Sequence, residues 1–314
     1  MLTISLSLTF EFLKAKNSDK PIIILDDPIS SFDSIYKNKI AYAIVKILQN
    51  KKRIILTHNT DLLRLLDGQF KKCFSLFLFN NTENEENGFI ALNSNERDML
   101  INLEELLKTF RQNIFKHIKD TKLFLISLIP FMRGYSTIIN NTIIKEDLTQ
   151  LMHGYKTKEI DIAEIYIKLF GNNEKKIPDS YKVNVDTILN ETIDKKEIVD
   201  KNIYPLLNRT LVHSFTYLFL RLLIEKKLVS KYKIDTESKS GAKQLGQIIS
   251  RAFPEGSKNI DDMKNRVFLT TKKTLLNEFN HFEGNMSIFQ PAIDITDNML
   301  EKEKNDILDF VSKL

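Results

Sequence analysis

Two groups of residues in this sequence have the types and the spacing to do chemistry. The first is Asp26-Asp27, which ends the apolar run IIIL (22–25) inside PIIILDDPISSFDS (21–34). An unbroken aliphatic run of this kind suits a strand buried on both faces. Carboxylates at the carboxyl end of such a strand stand where open α/β sheets place ligands. There Asp26 can hold Mg²⁺ on a nucleotide, because Mg²⁺ prefers carboxylate and phosphate oxygens. A second short apolar run, RIILTHNT (53–60), brings His58 to its own carboxyl end. If the two strands are parallel neighbours, Asp26, Asp27 and His58 emerge on one edge of the sheet.

The second group lies in the helical half. The apolar stretch YPLLNRTLVHSFTYLFLRLLIEKKL (204–228) carries Arg209, His213, Arg221 and Glu225, and LLNEFNHFEGN (275–285) later supplies His281. Arg221 and Glu225 are four apart and share a helix face. Arginine, glutamate and histidine form a workable metal-free RNA cleavage set. A histidine near neutral pKa can move the protons of the 2′-hydroxyl and 5′-oxygen, and an arginine can hold the phosphate bidentately. The same pair also reads as a simple helix ion pair, and His281 as a helix cap. Arg209 with His213 is open to two readings, phosphate contact or satisfied core polar groups. Arg111 and His117 match a ribonuclease-like spacing but sit in a lysine-bearing helix that reads as a solvated face; His153 beside Gly154 reads as a terminal cap.

The elements that must position these residues follow from periodicity and punctuation. Helices are expected at 2–16, 34–49 and 60–66, the last stopped by Asp67-Gly68. Pro28 ends the first strand, and the polar turn 30–33 can cap the next helix. Residues 73–79 and 88–92 read as a hairpin around an acidic, asparagine-rich loop. From about residue 96 helical spacing takes over, with helices expected at 97–119, 122–139 (kinked or split at Pro130), 144–153, 158–169, 195–229, 242–252, 259–279 and 297–313, the last capped by Thr296 or Asp297. Basic residues flank the second group at Lys226, Lys227, Lys231 and Lys233, and at Lys264, Arg266, Lys272 and Lys273. They are read either as a track for an RNA backbone or as solvated helix faces.

In order and spacing, IIILDD, SSFD and His58 resemble the Walker B strand, D-loop and switch histidine of an ABC-type ATPase, in the SMC-like branch that includes the PrrC/RloC anticodon nucleases. The resemblance implies a nucleotide site made of Asp26, Asp27, Ser31, Asp33 and His58, with Asp26 on the Mg²⁺. Asp27 stands where most ABC ATPases carry the glutamate that orients the attacking water. Arg-x-x-x-Glu followed by a later histidine resembles the catalytic triad of the same nucleases, which implies roles for Arg221, Glu225 and His281 in a HEPN-like bundle. No GxxxxGK[ST] phosphate loop is present, and the chain has only nine glycines. In family terms the chain starts just past the glycine-rich signature. It is therefore expected to be the carboxyl-terminal portion of a larger ATPase, half of a split one, or a remnant, with ATP and Mg²⁺ bound only if a Walker A segment is supplied from elsewhere.

Composition fits this reading. The 314 residues are 42% hydrophobic with a net charge of +5, which permits an anionic partner without requiring one. One cysteine excludes an internal disulfide framework and a cysteine-rich metal site. No stretch is long and pure enough to span a membrane, and the opening segment reads as a core helix and not as a signal peptide, so a cytoplasmic location is expected. The expected fold class is α/β: a partial ABC-type ATPase lobe (1–95), then a mainly α-helical part comprising a linker region (96–190) and a HEPN-like domain (191–314). The expected function is ATP-gated, metal-independent cleavage of RNA, in a tRNA anticodon loop as a defence against phage. A homo-oligomer or a Walker A-bearing partner subunit would complete the ATPase. The alternative is a non-nucleolytic ABC/SMC-like module whose helical domain binds a partner protein or DNA. The two differ structurally: cleavage needs the triad around an open basic cleft, whereas separated or sealed side chains favour binding.

Overall fold

The computed structural model describes residues 2–30, 32–71, 74–80, 88–172, 175–194, 197–280 and 288–314. Ser31 and His281 lie outside the described residues. The chain forms two compact units, the first of residues up to Phe79 with Gly88–Leu103, the second including Glu104–Leu314.

The first unit is built on two parallel strands. β1 (Ile22–Asp26) pairs with β2 (Lys52–Leu56), with Asp26 opposite Leu56. Helices α1 (Leu2–Asn17), α2 (Ser34–Ile47) and α3 (Thr60–Gln69) complete this layer. Phe12, Ile29, Ile40, Ile44, Leu48 and Leu62 form its core, with Ile23, Leu25 and Ile55 packed against it from the strands. The burial expected on both faces of β1 is corrected here: alternate residues face outward, and Ile24 is 65% exposed. The core cluster covers one sheet face, and an aliphatic run does not say whether a second layer exists. Two further corrections concern helix punctuation. α3 runs through Asp67-Gly68, since a glycine inside a helix costs only about 1 kcal/mol while α3 anchors Leu62 and Leu66 in the core. Asp33 is the N-cap of α2 but its side chain makes no capping bond. β3 (Phe77–Asn80) and β4 (Gly88–Ala91) form a second two-stranded sheet, joined by ring contacts of Phe77 and Phe79 with Phe89. α4 (Ser94–Ile101) follows, held by Arg97 on Asp67 at 2.8 Å.

The second unit is helical. The helix expected over 97–119 is instead α4, α5 (Leu103–Lys108), a π-helical turn (Thr109–Asn113) and a 3-10 turn (Phe115–His117). Residues 122–139 split as expected at Pro130, into α6 (Thr121–Ser127) and α7 (Ile129–Ile138). Then come α8 (Thr142–Gln150), α9 (Ile162–Phe170) and α10 (Val185–Leu189). Between them β5 (Ile160–Asp161) and β6 (Lys182–Val183) make a small antiparallel pair that helical periodicity did not announce. α11 (Pro205–Tyr232) is the axis of the unit. It packs against α6, α10, α12 (Leu245–Ala252), α14 (Gln290–Asp294) and α15 (Asp297–Lys313). Thr296 caps α15 by accepting from Met299 N. α13 (Ile260–Lys272) ends earlier than periodicity suggests and passes into a 3-10 turn, Leu275–Asn280, that lies on α11. Residues 104–314 fall within one compact unit, which spans both the expected linker and nuclease stretches.

Candidate functional site

At the carboxyl edge of β1 and β2 the chain concentrates polar groups on Asp27. Its backbone takes a left-handed conformation, φ 42°, which aspartate tolerates better than most residues. Its amide donates to Leu56 O at 2.7 Å, continuing the strand pairing by one residue. Thr57 Oγ1 donates to Asp27 Oδ1 at 3.0 Å, the Ser30 hydroxyl donates to Oδ2, and His58 Nδ1 lies 3.4 Å from Oδ2. The parallel register is what brings them together: Asp26 faces Leu56, so the residues after each strand leave the sheet on the same side. Asp26 is exposed. Two adjacent carboxylates therefore have different environments, one half-buried and hydrogen-bonded, one open to solvent. This donor set fits a Mg²⁺–nucleotide: Asp26 would hold the cation, which keeps several waters and takes its remaining oxygens from phosphate. Among the described residues no group of three or more His, Cys, Asp or Glu is placed to hold a metal.

In the helical unit, Arg221 and Glu225 meet inside the fold. Arg221 Nε donates to Glu225 Oε1 at 3.0 Å, and the two are 5% and 0% exposed. Glu225 Oε2 accepts from Gly154 N at 2.8 Å. Arg221 Nη1 donates to Asn277 Oδ1 at 2.6 Å. The helix ion pair that the i, i+4 spacing offers does form, but it is buried, and a buried carboxylate persists only when paired and hydrogen-bonded. The reading of His153 as a terminal cap is corrected. It lies against Glu225, Nδ1 to Oε2 3.4 Å, and does not merely close α8. The only sequence signal for this was Gly154, the residue that lets the turn approach α11. A Cβ there would stand 2.2 Å from Leu222 O and 2.7 Å from Lys226 N. The pair's field reaches its neighbours. Burial, reinforced by Glu225, pushes the Tyr155 hydroxyl up to about 12. Burial and the Arg221 charge lower Arg133.

Asn277 faces a cleft of about 600 Å³ on its other side, lined also by Ser240, Gln244, Ser250, Arg251 and Lys273. Arg209 and His213 belong to a different set. Both converge on Asp297 Oδ1, at 2.9 Å and 2.7 Å, and tie α11 to the start of α15. This is the satisfied-core reading of that pair, and Asp297, which the sequence offered only as a helix cap, is its third member. Arg111 donates to the Tyr135 hydroxyl at 3.2 Å and His117 packs edge-on to Tyr204, so they serve separate contacts. Three of the eight basic residues named in the sequence are held by carboxylates: Lys226 by Asp186, Arg266 by Glu255, and Lys272 by Glu303 and Asp306.

The family model AAA_13, described as an AAA domain, matches residues 9–145. This stretch of the chain, which includes the Asp26–Asp27–His58 edge, is similar to an ATPase-like family. No curated protein and no solved structure matches the chain. No helix is long and apolar enough to cross a membrane among the described residues.

Proposed function

We propose that the first unit supplies the Walker B, D-loop and switch-histidine part of an ABC/SMC-like ATP site. A Walker A segment from elsewhere completes it, and the site gates the helical unit as an RNA endonuclease of the anticodon nuclease kind. The observation that carries the nucleotide half is the meeting of Asp27 with Thr57 and His58 at the carboxyl edge of a parallel strand pair. Bound ATP and Mg²⁺ would supply phosphoryl transfer to water. Asp26 would hold the cation, Asp27 would orient the water, and His58, joined to Asp27, would report the state of the site. The cleavage half is supported by Arg221, which reaches Asn277 on the wall of a cleft that also presents Arg251 and Lys273. Arg221 would hold the scissile phosphate, with Glu225 fixing its guanidinium, and His281 would move the proton.

A second reading has its own observation. Arg221 and Glu225 are sealed, 5% and 0% exposed, and both Glu225 oxygens are engaged, which by the criterion drawn from the sequence favours a structural pair in a helical domain that binds a partner protein or DNA. Incubation of the full chain with bulk tRNA in EDTA separates the two readings, with His281→Ala as control. Discrete fragments that the substitution abolishes are expected. If none form even with a Walker A segment and ATP supplied, the binding module is the function.

A further inference from the structure

We infer that the cleft beside Asn277 is a phosphodiester-binding site that seats the backbone of the RNA next to Arg221; this rests on the cleavage reading above. The cleft's volume of about 600 Å³ lies within the ~300–1,000 Å³ typical of ligand sites. Its described lining contains two cations, Arg251 and Lys273, and no aspartate or glutamate. The contrast with adjacent basic residues is informative. Lys272 is neutralised by Glu303 at 2.6 Å and Asp306 at 3.2 Å, and Arg266 by Glu255. Lys273, one residue on, is exposed and pairs with no carboxylate among the described residues. Arg251 reaches the Ser240 carbonyl only at 3.5 Å. It also lies near Asp235, whose carboxylate is already taken by the Ser238 hydroxyl and by the amides of Glu237 and Ser238.

The position of Lys273 is set by Gly246, since a Cβ there would stand 3.2 Å from the lysine Nζ. The ammonium therefore lies over the first turn of α12, where the helix field adds to its own. Ser250 and Gln244 put neutral donors on the same wall. Two cations with hydroxyl and amide groups and no acid match the oxygens of a phosphodiester. The cleft is open, as a polymer passing through it requires. Asn277 links it to the buried arginine: its Oδ1 holds Arg221 Nη1 while the residue lines the cleft. A phosphate seated on Lys273 and Arg251 would lie beside Arg221, whose buried guanidinium contacts Asn277 on the wall of this cleft.

The test is binding of a fluorescein-labelled anticodon stem-loop RNA to the full chain in EDTA, followed by anisotropy across a salt series. Lys273→Ala with Arg251→Ala is compared with Lys182→Ala with Lys302→Ala, which removes the same charge from exposed sites outside the cleft. The cleft pair is expected to weaken binding at least about tenfold. It should also reduce the salt slope by about 1.4, at roughly 0.7 per phosphate contact on a single strand. The control should leave both nearly unchanged. Equal effects of the two doubles, or no RNA binding by the unsubstituted chain, would overturn the inference. A DNA loop of the same sequence that binds equally well would overturn RNA as the occupant. If the cleft pair weakens binding while the unsubstituted chain cuts nothing, the site stands and only the cleavage reading fails.

Discussion

The residues with chemistry in them fall into two environments, and burial separates them. Asp27 and His58 are accessible and meet at the end of a strand pair; Arg221 and Glu225 meet in the interior. Removing one partner of a buried pair leaves the other charge uncompensated. Arg221→Ala is therefore expected to destabilise the helical unit by about 3–5 kcal/mol, measured by urea unfolding followed by far-UV circular dichroism. A loss under about 1 kcal/mol would mean that Glu225 finds water or becomes protonated. The types and the i, i+4 spacing of this pair were legible in the sequence. Its burial and its three further partners were not, because Gly154, His153 and Asn277 come from segments far away in the chain, and no local pattern encodes that approach.

At the scale of elements, α11 organises the second unit and a polar clamp fastens α15 to it. His213 Nε2 lies 2.7 Å from Asp297 Oδ1, Arg209 reaches the same oxygen, and the Tyr217 hydroxyl is 3.5 Å from His213 Nδ1. Burial lowers the His213 pKa below its ordinary 6.5, outweighing the pull of Asp297. Burial would raise Asp297, but the hydrogen bond from His213 and the charge of Arg209 bring it below its ordinary 3.8. Both folded values are depressed, so the unfolded chain binds more protons. The stability the clamp contributes is present above the unfolded values and is lost as pH falls. The helical unit is expected to lose thermal stability as pH falls below about 7, where unfolded histidine begins to bind protons, with a further fall below about pH 4, where carboxylates titrate. His213→Phe should flatten the upper part of that profile. An unchanged slope in the variant would assign the acid sensitivity to other groups. Helix existence was legible here from apolar spacing, and Pro130 marked its break correctly. The ends of α3 and α13 and the π-helical turn were decided by packing, which overrides propensities of about 1 kcal/mol or less per residue.

For the whole molecule, the first unit gathers the acidic side of the proposed nucleotide site at one sheet edge, and it exposes Ile22, Ile24, Ile54 and Leu56 on the outer face of its strand pair. With a Walker A segment supplied, Asp26→Asn is expected to lower ATP hydrolysis by about a hundredfold or more, since losing a bound cation removes several kcal/mol of charge stabilisation. Because Asp26 is exposed, the melting temperature should hardly move, and an unchanged turnover would take the cation away from this residue. The sequence by itself determined the order of parts: two short apolar runs ending in Asp26-Asp27 and His58, an aromatic strand pair, then helices dominating to the end. Those features are local, written in residue type and period. Only the tertiary structure decided that β1 and β2 are parallel with Asp26 opposite Leu56, that one sheet face is bare, that Arg221 and Glu225 are sealed against Gly154, and that Lys273 lies at a cleft and meets no carboxylate among the described residues. Each of these depends on which distant segments come into contact, and that is settled by burial and by the pairing of buried polar groups across the fold.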